Sequence, residues 1–136
     1  MATFTKFYCF TEDLAEKKHN LGSDTLKVAL TNSAPSQSNT VLANITEVSY
    51  TNLSSRTLAV TTSAQTTGTY KLVITDLTLT STGGSTGPFR YIVIYNDTAT
   101  NDELIAYTDY GSSLTLLDTN SITLDFDGTG GVLTIA

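Results

Sequence analysis

Nucleophilic catalysis by a histidine-activated side chain would have to use His19. His19 is the only histidine and Cys9 the only cysteine among the 136 residues, and a Ser–His or Cys–His mechanism needs an imidazole beside its nucleophile. Cys9 lies among aromatic residues, which is typical of a small buried apolar side chain. His19 follows Lys17 and Lys18 at the predicted end of a helix, where the helix dipole favours cations. We therefore expect a helix-end role for His19 and catalysis from neither residue.

Two carboxylates before a glycine are the sharpest local motif. Asp125 and Asp127 flank Phe126 and precede Gly128, which resembles part of a calcium loop. An EF-hand needs further oxygen ligands and a Glu at its twelfth position, and none follows here. On a strand the side chain of Asp125 would point away from that of Phe126, so exposure to solvent accounts for an acidic residue at this position without a metal. Asp125 and Asp127 are weak calcium candidates, and we expect no metal, no cofactor and no catalytic residue.

Aromatic residues are the better candidates for function, because Tyr and Phe bury a large area at an interface. The stretch of residues 3–10 is apolar on both faces, which suits a strand buried on two sides or an arm laid on a partner. Four tyrosines surround the predicted central strand and the turn after it, where core packing and an interface are equal alternatives. The predicted interface residues are Phe4, Phe7, Tyr8, Phe10, Tyr91, Tyr95, Tyr107 and Tyr110.

The composition predicts the scaffold that would position these residues. A chain of this length is about one domain, and its 27 Thr and 13 Ser make up about 29% of the residues. Thr is β-branched and suits a pleated surface, whereas Ser and Thr together suit turns. A net charge of −6 opposes nucleic-acid binding through phosphate neutralisation. No apolar run is long enough to span a bilayer, and we expect no secretory signal from the first residues given.

Periodicity predicts about eight strands and one short helix, over residues 11–19, with residues 1–10 as an extended N-terminal arm or strand. Residues 26–30 alternate as a half-buried strand, and residues 89–95 are apolar on both faces like a central strand. The apolar phase changes within residues 70–80, which predicts a bulge or break near Thr75 and Asp76. Two short strands are expected at 104–107 and 113–117. The predicted fold over residues 11–136 is all-β: a single-domain antiparallel β-sandwich or barrel, jelly-roll-like.

Three segments carry a resemblance to a known group. The chain resembles small structural proteins of tailed bacteriophages in residues 21–32 with Ala34-Pro35, in residues 87–97 and in residues 109–113. By analogy within that group it is similar to capsid decoration (cement) proteins. The resemblance implies a virion protein on the outer surface of the capsid, assembled in the host cytoplasm. Its partners would be the major capsid protein and itself, as a homotrimer, and it would stabilise the shell by bridging neighbouring capsomers.

Three alternatives remain open beside this expectation. A head–tail connector or tail component would also be β-rich and oligomeric, but present in few copies. A receptor- or glycan-binding module of a fibre would use exposed Tyr and Asp in the loops at residues 81–88 and 96–102. The weakest alternative is a small hydrolase, calcium-assisted or carboxylate-based, which would need two carboxyl groups at a set separation in a cleft.

Overall fold

The computed structural model describes residues 3–136 and is mostly β, with strands that pair only in antiparallel fashion among those residues. The helix α1 spans Cys9–Ala15, and a 3₁₀ helix spans Leu42–Asn44. The strands are β1 (Thr5–Lys6), β2 (Leu26–Thr31), β3 (Val60–Thr66), β4 (Thr69–Ile74), β5 (Leu77–Thr80), β6 (Thr86–Asn96), β7 (Leu104–Leu116), β8 (Ser121–Leu124) and β9 (Leu133–Ile135). No helix of this part of the chain is long and apolar enough to cross a membrane.

Three sheets enclose one main core. The largest has the order β1-β7-β6-β2, a second has the order β3-β4-β9, and β5 pairs with β8. Buried residues from all three sheets form one cluster, for example Val28, Leu72 and Leu79, each at most 1% exposed. The predicted all-β, sandwich-like single domain is confirmed, with nine strands where about eight were expected.

The strand β2 is buried on both faces, which the alternation of its sequence did not predict. Its only half-buried residue is Lys27. A second cluster explains this, because Phe7, Ala29, Ile45 and Leu104 pack together on the other side of the large sheet. The strand is therefore covered by the main core on one face and by Phe7 and Ile45 on the other.

Other strand predictions have mixed outcomes. The break near Thr75 and Asp76 is confirmed, since it separates β4 from β5, and β6 is central, between β7 and β2. The two strands predicted at 104–107 and 113–117 are instead one strand, β7. Asp109 pairs with Tyr91 and Leu114 with Phe89, so residues 110–113 bulge out within β7. The polar residues of this bulge produced the apparent gap between two strands.

The N-terminal prediction needs correction. Residues 3–10 are part of the domain and not an extended arm. The strand alternative is right for Thr5 and Lys6, which pair with β7, while Phe7 is 0% exposed and Phe10 is 2% exposed. The helix starts at Cys9 and ends at Ala15, so it is neither as late nor as long as the predicted 11–19. Part of the predicted arm lies outside the described residues, namely Met1 and Ala2. From Thr3 onward this stretch belongs to the domain.

Candidate functional site

His19 is buried, and the prediction that it is a helix-end cation is wrong. The helix ends four residues earlier, and Lys17 has φ of 67°, a left-handed conformation that ends the helical path. The turn carries His19 into the interior, where it is 5% exposed and its ring stacks on Phe10 with centroids 5.4 Å apart. The prediction of a charged imidazole depended on a helix that continues to His19.

Asn96 holds the imidazole of His19 in one tautomer. The Asn96 Oδ1 atom accepts the backbone N–H groups of Thr98 at 3.0 Å and Ala99 at 3.2 Å. Its Nδ2 is therefore the donor, and it donates to Asp24 Oδ2 at 2.7 Å and to His19 Nδ1 at 3.0 Å. Because Nδ1 accepts, the proton of the neutral ring is on Nε2.

Burial favours the neutral form of His19. Loss of solvation lowers its pKa, while the nearby carboxylates of Asp13, Glu103 and Asp24 act in the opposite direction. Nε2 is buried and has no hydrogen-bond partner among the described residues. One ring nitrogen is thus used by Asn96 and the other is shielded, so this histidine is poorly placed as a general base.

Asp13 joins this polar cluster from the helix. It is 4% exposed and accepts a hydrogen bond from Lys18 Nζ at 2.9 Å, which raises the pKa of Lys18. Burial and the negative charge of Asp13 raise the pKa of Cys9 to about 11. Since the thiolate is the reactive form, Cys9 is a weak nucleophile.

A cleft of about 960 Å³ opens beside this cluster. Its walls come from the turn after the helix, from β3, β4 and β9, and from the loop at residues 98–101. They offer amide, hydroxyl and carboxylate groups beside one aromatic ring: Asn20, Asn101, Ser63, Thr98, Asp24, Glu103 and Tyr70. The volume is that of a small-molecule site.

Asp127 is used by a turn. Its Oδ1 accepts the backbone N–H groups of Thr129 at 2.9 Å and Gly130 at 2.7 Å, and these hydrogen bonds lower its pKa. Asp125 lines a different groove, with Thr3, Phe4 and Tyr110. Within residues 3–136 no three His, Cys, Asp or Glu side chains come together as a metal site.

The predicted interface aromatics separate into exposed and internal residues. Tyr8 is 61% exposed and Tyr110 is 47% exposed, so both are open to a partner. Phe7, Phe10 and Tyr95 are at most 2% exposed, and as partner contacts they are wrong because they fill the protein's own core. The remaining three are half-buried: Phe4, Tyr91 and Tyr107.

Tyr50 and Arg56 are structural residues that sequence reasoning missed, because residues 50–56 read as a polar loop. The Tyr50 hydroxyl accepts the Leu30 N–H at 3.0 Å and donates to Glu47 Oε1 at 2.7 Å. Arg56 lies 3.7 Å from the centroid of the Tyr50 ring and donates to the Val28 carbonyl at 2.7 Å. The only feature of the sequence that could have indicated this contact is a Tyr and an Arg six residues apart.

No protein family, no curated protein and no solved structure matches this chain.

Proposed function

We propose that this chain is a structural protein of a tailed-bacteriophage particle, which decorates the outer surface of the capsid and bridges neighbouring capsomers. It would bind the major capsid protein and associate with itself as a homotrimer. Its action would be mechanical, because binding at many symmetric sites stabilises the assembled shell.

The observation that carries this proposal is the arrangement of the segments that resemble phage structural proteins. Residues 21–32 include β2, residues 87–97 include most of β6, and residues 109–113 lie in β7. These three strands are neighbours in one sheet, although more than 50 residues separate the first two segments in sequence. The resemblance thus falls on one contiguous part of the fold, as expected when it concerns a shared scaffold.

Two exposed tyrosines are the proposed contacts with the capsid. Tyr8 precedes the helix, and Tyr110 lies in the bulge of β7. Tyr suits this role since its ring buries a large area while its hydroxyl keeps a hydrogen bond. A Tyr8→Ala/Tyr110→Ala variant should occupy particles less than the wild type does, and Leu117→Ala, at another exposed apolar residue, is the matched control.

The copy number per purified particle tests the proposal directly. Quantitative mass spectrometry against the major capsid protein should find roughly hundreds of copies in a fixed ratio, because a closed lattice repeats its binding site. About five to twenty copies would instead indicate a connector, tail or fibre component at a unique vertex and would contradict capsid decoration.

A glycan-binding module is the second candidate, and one observation favours it. The loop at residues 98–101 forms a wall of the cleft described above, together with the aromatic ring of Tyr70. Amide and carboxylate side chains beside an aromatic ring suit a sugar's hydroxyl groups and its apolar face. Binding on a glycan array that is lost in Asn101→Ala and kept in Thr46→Ala, at an exposed site outside the cleft, would support this candidate.

A further inference from the structure

The strand β3 has a free edge. It is the outer strand of the sheet β3-β4-β9, and five of its seven residues are exposed. Among the described residues, no backbone hydrogen bond joins β3 to anything except β4. Its outer N–H and C=O groups are therefore free to pair with another strand.

The other outermost strands are covered or short, and the outer side of β7 beyond residue 108, which β1 does not reach, is interrupted by the bulge at residues 110–113. The outer side of β2 pairs with the segment at residues 56–58, through the Arg56 carbonyl and the Leu58 N–H. The Ser54 N–H donates to the Thr80 carbonyl at the outer side of β5. The strands β8, β9 and β1 have only four, three and two residues. Of the edge strands in the described part of the chain, β3 offers the longest uncovered ladder.

The chemistry of β3 does not protect this edge. Natural edge strands avoid pairing through charged side chains, Pro, bulges or short length. The sequence of β3, Val-Thr-Thr-Ser-Ala-Gln-Thr, has no charged residue and no Pro. Its one irregularity lies between Val60 and Thr62, so residues 62–66 form a regular ladder.

We propose that β3 pairs with β3 of a second copy of this chain, antiparallel and about a two-fold axis. A two-fold axis places the same strand opposite itself, so each side chain meets a copy of a residue of its own strand. Charged residues in β3 would repel one another in this arrangement, whereas the neutral residues of β3 do not. Cross-strand Thr pairs add to the stability of such a ladder. Because β3 carries no charge, it offers no ion pair to a charged strand, and a neutral strand matches it better. The chain carries a net charge of −6, but β3 of a second copy is such a neutral strand. This contact does not depend on the proposed capsid role and is separate from the three-fold association proposed above.

The turn after β3 identifies the amides that face the second copy. Thr67 and Gly68 have φ of 49° and 85°, as in a two-residue type I′ hairpin. Thr66 and Thr69 then form the hydrogen-bonded pair next to the turn, and hydrogen-bonded pairs alternate along the ladder. The N–H groups of Ser63 and Gln65 therefore point away from β4 and towards the partner.

Sedimentation of the full chain from micromolar to millimolar concentration tests the proposal. Pairing through β3 should double the mass as the concentration rises, from monomer to dimer, or from trimer to hexamer where the proposed homotrimer forms. A Thr62→Lys/Thr66→Lys variant puts like charges on both ends of the regular ladder and should weaken the dimer about tenfold. A Thr62→Glu/Thr66→Glu variant should be weakened similarly, and mixing the two should restore association. Thr46→Lys/Thr115→Lys adds the same charge at exposed residues outside β3 and should leave the dimer unchanged.

Hydrogen exchange locates the contact. Exchange of the Ser63 and Gln65 amides should slow as the concentration of the wild type rises. In the Thr62→Lys/Thr66→Lys variant, exchange of the same two amides should not depend on concentration. Circular dichroism would confirm that each variant is folded. The proposal is overturned if the mass does not double up to millimolar concentration, if that doubling is insensitive to the charges in β3, or if mixing the two charged variants fails to restore it. A homotrimer whose mass does not double would overturn this proposal and leave the capsid role standing.

Discussion

The side-chain amide of Asn96 and the imidazole of His19 form one buried unit, with Asn96 Nδ2 3.0 Å from His19 Nδ1. Asn96 is 0% exposed, and its carbonyl oxygen is held by two backbone N–H groups of the following loop. The loop at residues 97–101 thus fixes the amide, and the amide fixes the ring. This relationship determines both the tautomer of the histidine and the shape of one wall of the cleft.

The tautomer of His19 can be observed directly, because the chain has only one histidine. Long-range ¹⁵N–¹H correlation spectra at neutral pH should show the proton on Nε2, and titration should give a pKa below 6.5 because the ring is buried. The Asn96→Asp variant replaces the donating Nδ2 with a carboxylate oxygen, so its ring should be protonated on Nδ1 and its pKa should rise. The same tautomer in both proteins would contradict the assigned hydrogen bonds.

Stability should depend on pH through the same residue. The folded-state pKa of His19 is lowered, so the unfolded chain binds more protons as the pH falls. The contribution is fully present above the unfolded value, about 6.5, and is lost as the pH falls through the lower folded value. Denaturant unfolding at a series of pH values should show this loss. His19→Gln, which does not titrate, should have a flatter profile above the range in which carboxylates titrate.

Removal of the Asn96 side chain should be strongly destabilising. Its amide satisfies two backbone N–H groups, the Asp24 carboxylate and the His19 ring, and a buried polar group left unpaired costs about 1–3 kcal/mol. We expect Asn96→Ala to lower the free energy of unfolding by at least about 2 kcal/mol. Thr46→Ala, at an exposed residue, should change it by less than about 0.5 kcal/mol. Equal stabilities would contradict the structural role of Asn96.

Much of the fold was predictable because it depends on local pattern. The phase change in residues 70–80 required a break in any β structure, and the apolar residues of β6 required cover on both faces. The site was not predictable, because Asn96 and His19 are 77 residues apart and meet only after the large sheet forms. The burial of Phe7 likewise depends on Ile45, which comes from a loop without periodicity.

Phe7 and Phe10 should be essential for folding rather than for attachment to a partner. Each is at most 2% exposed, and Phe→Ala in a core costs about 3–5 kcal/mol. Phe7→Ala and Phe10→Ala should therefore lower the midpoint of urea unfolding strongly. Tyr8→Ala lies between them in sequence but is 61% exposed, so it should leave the midpoint almost unchanged. A small effect of both Phe variants would contradict their place in the core.

Cys9 should be slow to alkylate in the folded protein. Its pKa of about 11 is roughly two units above that of an ordinary thiol, so the reactive thiolate is about a hundredfold scarcer at neutral pH. Iodoacetamide labelling followed by mass spectrometry should therefore be about a hundredfold slower for the native chain than for the chain in denaturant. In Asp13→Asn the nearby negative charge is absent, so the thiol pKa should fall and native labelling should accelerate. Labelling of the native wild type at the denatured rate would show that burial and Asp13 do not control this thiol.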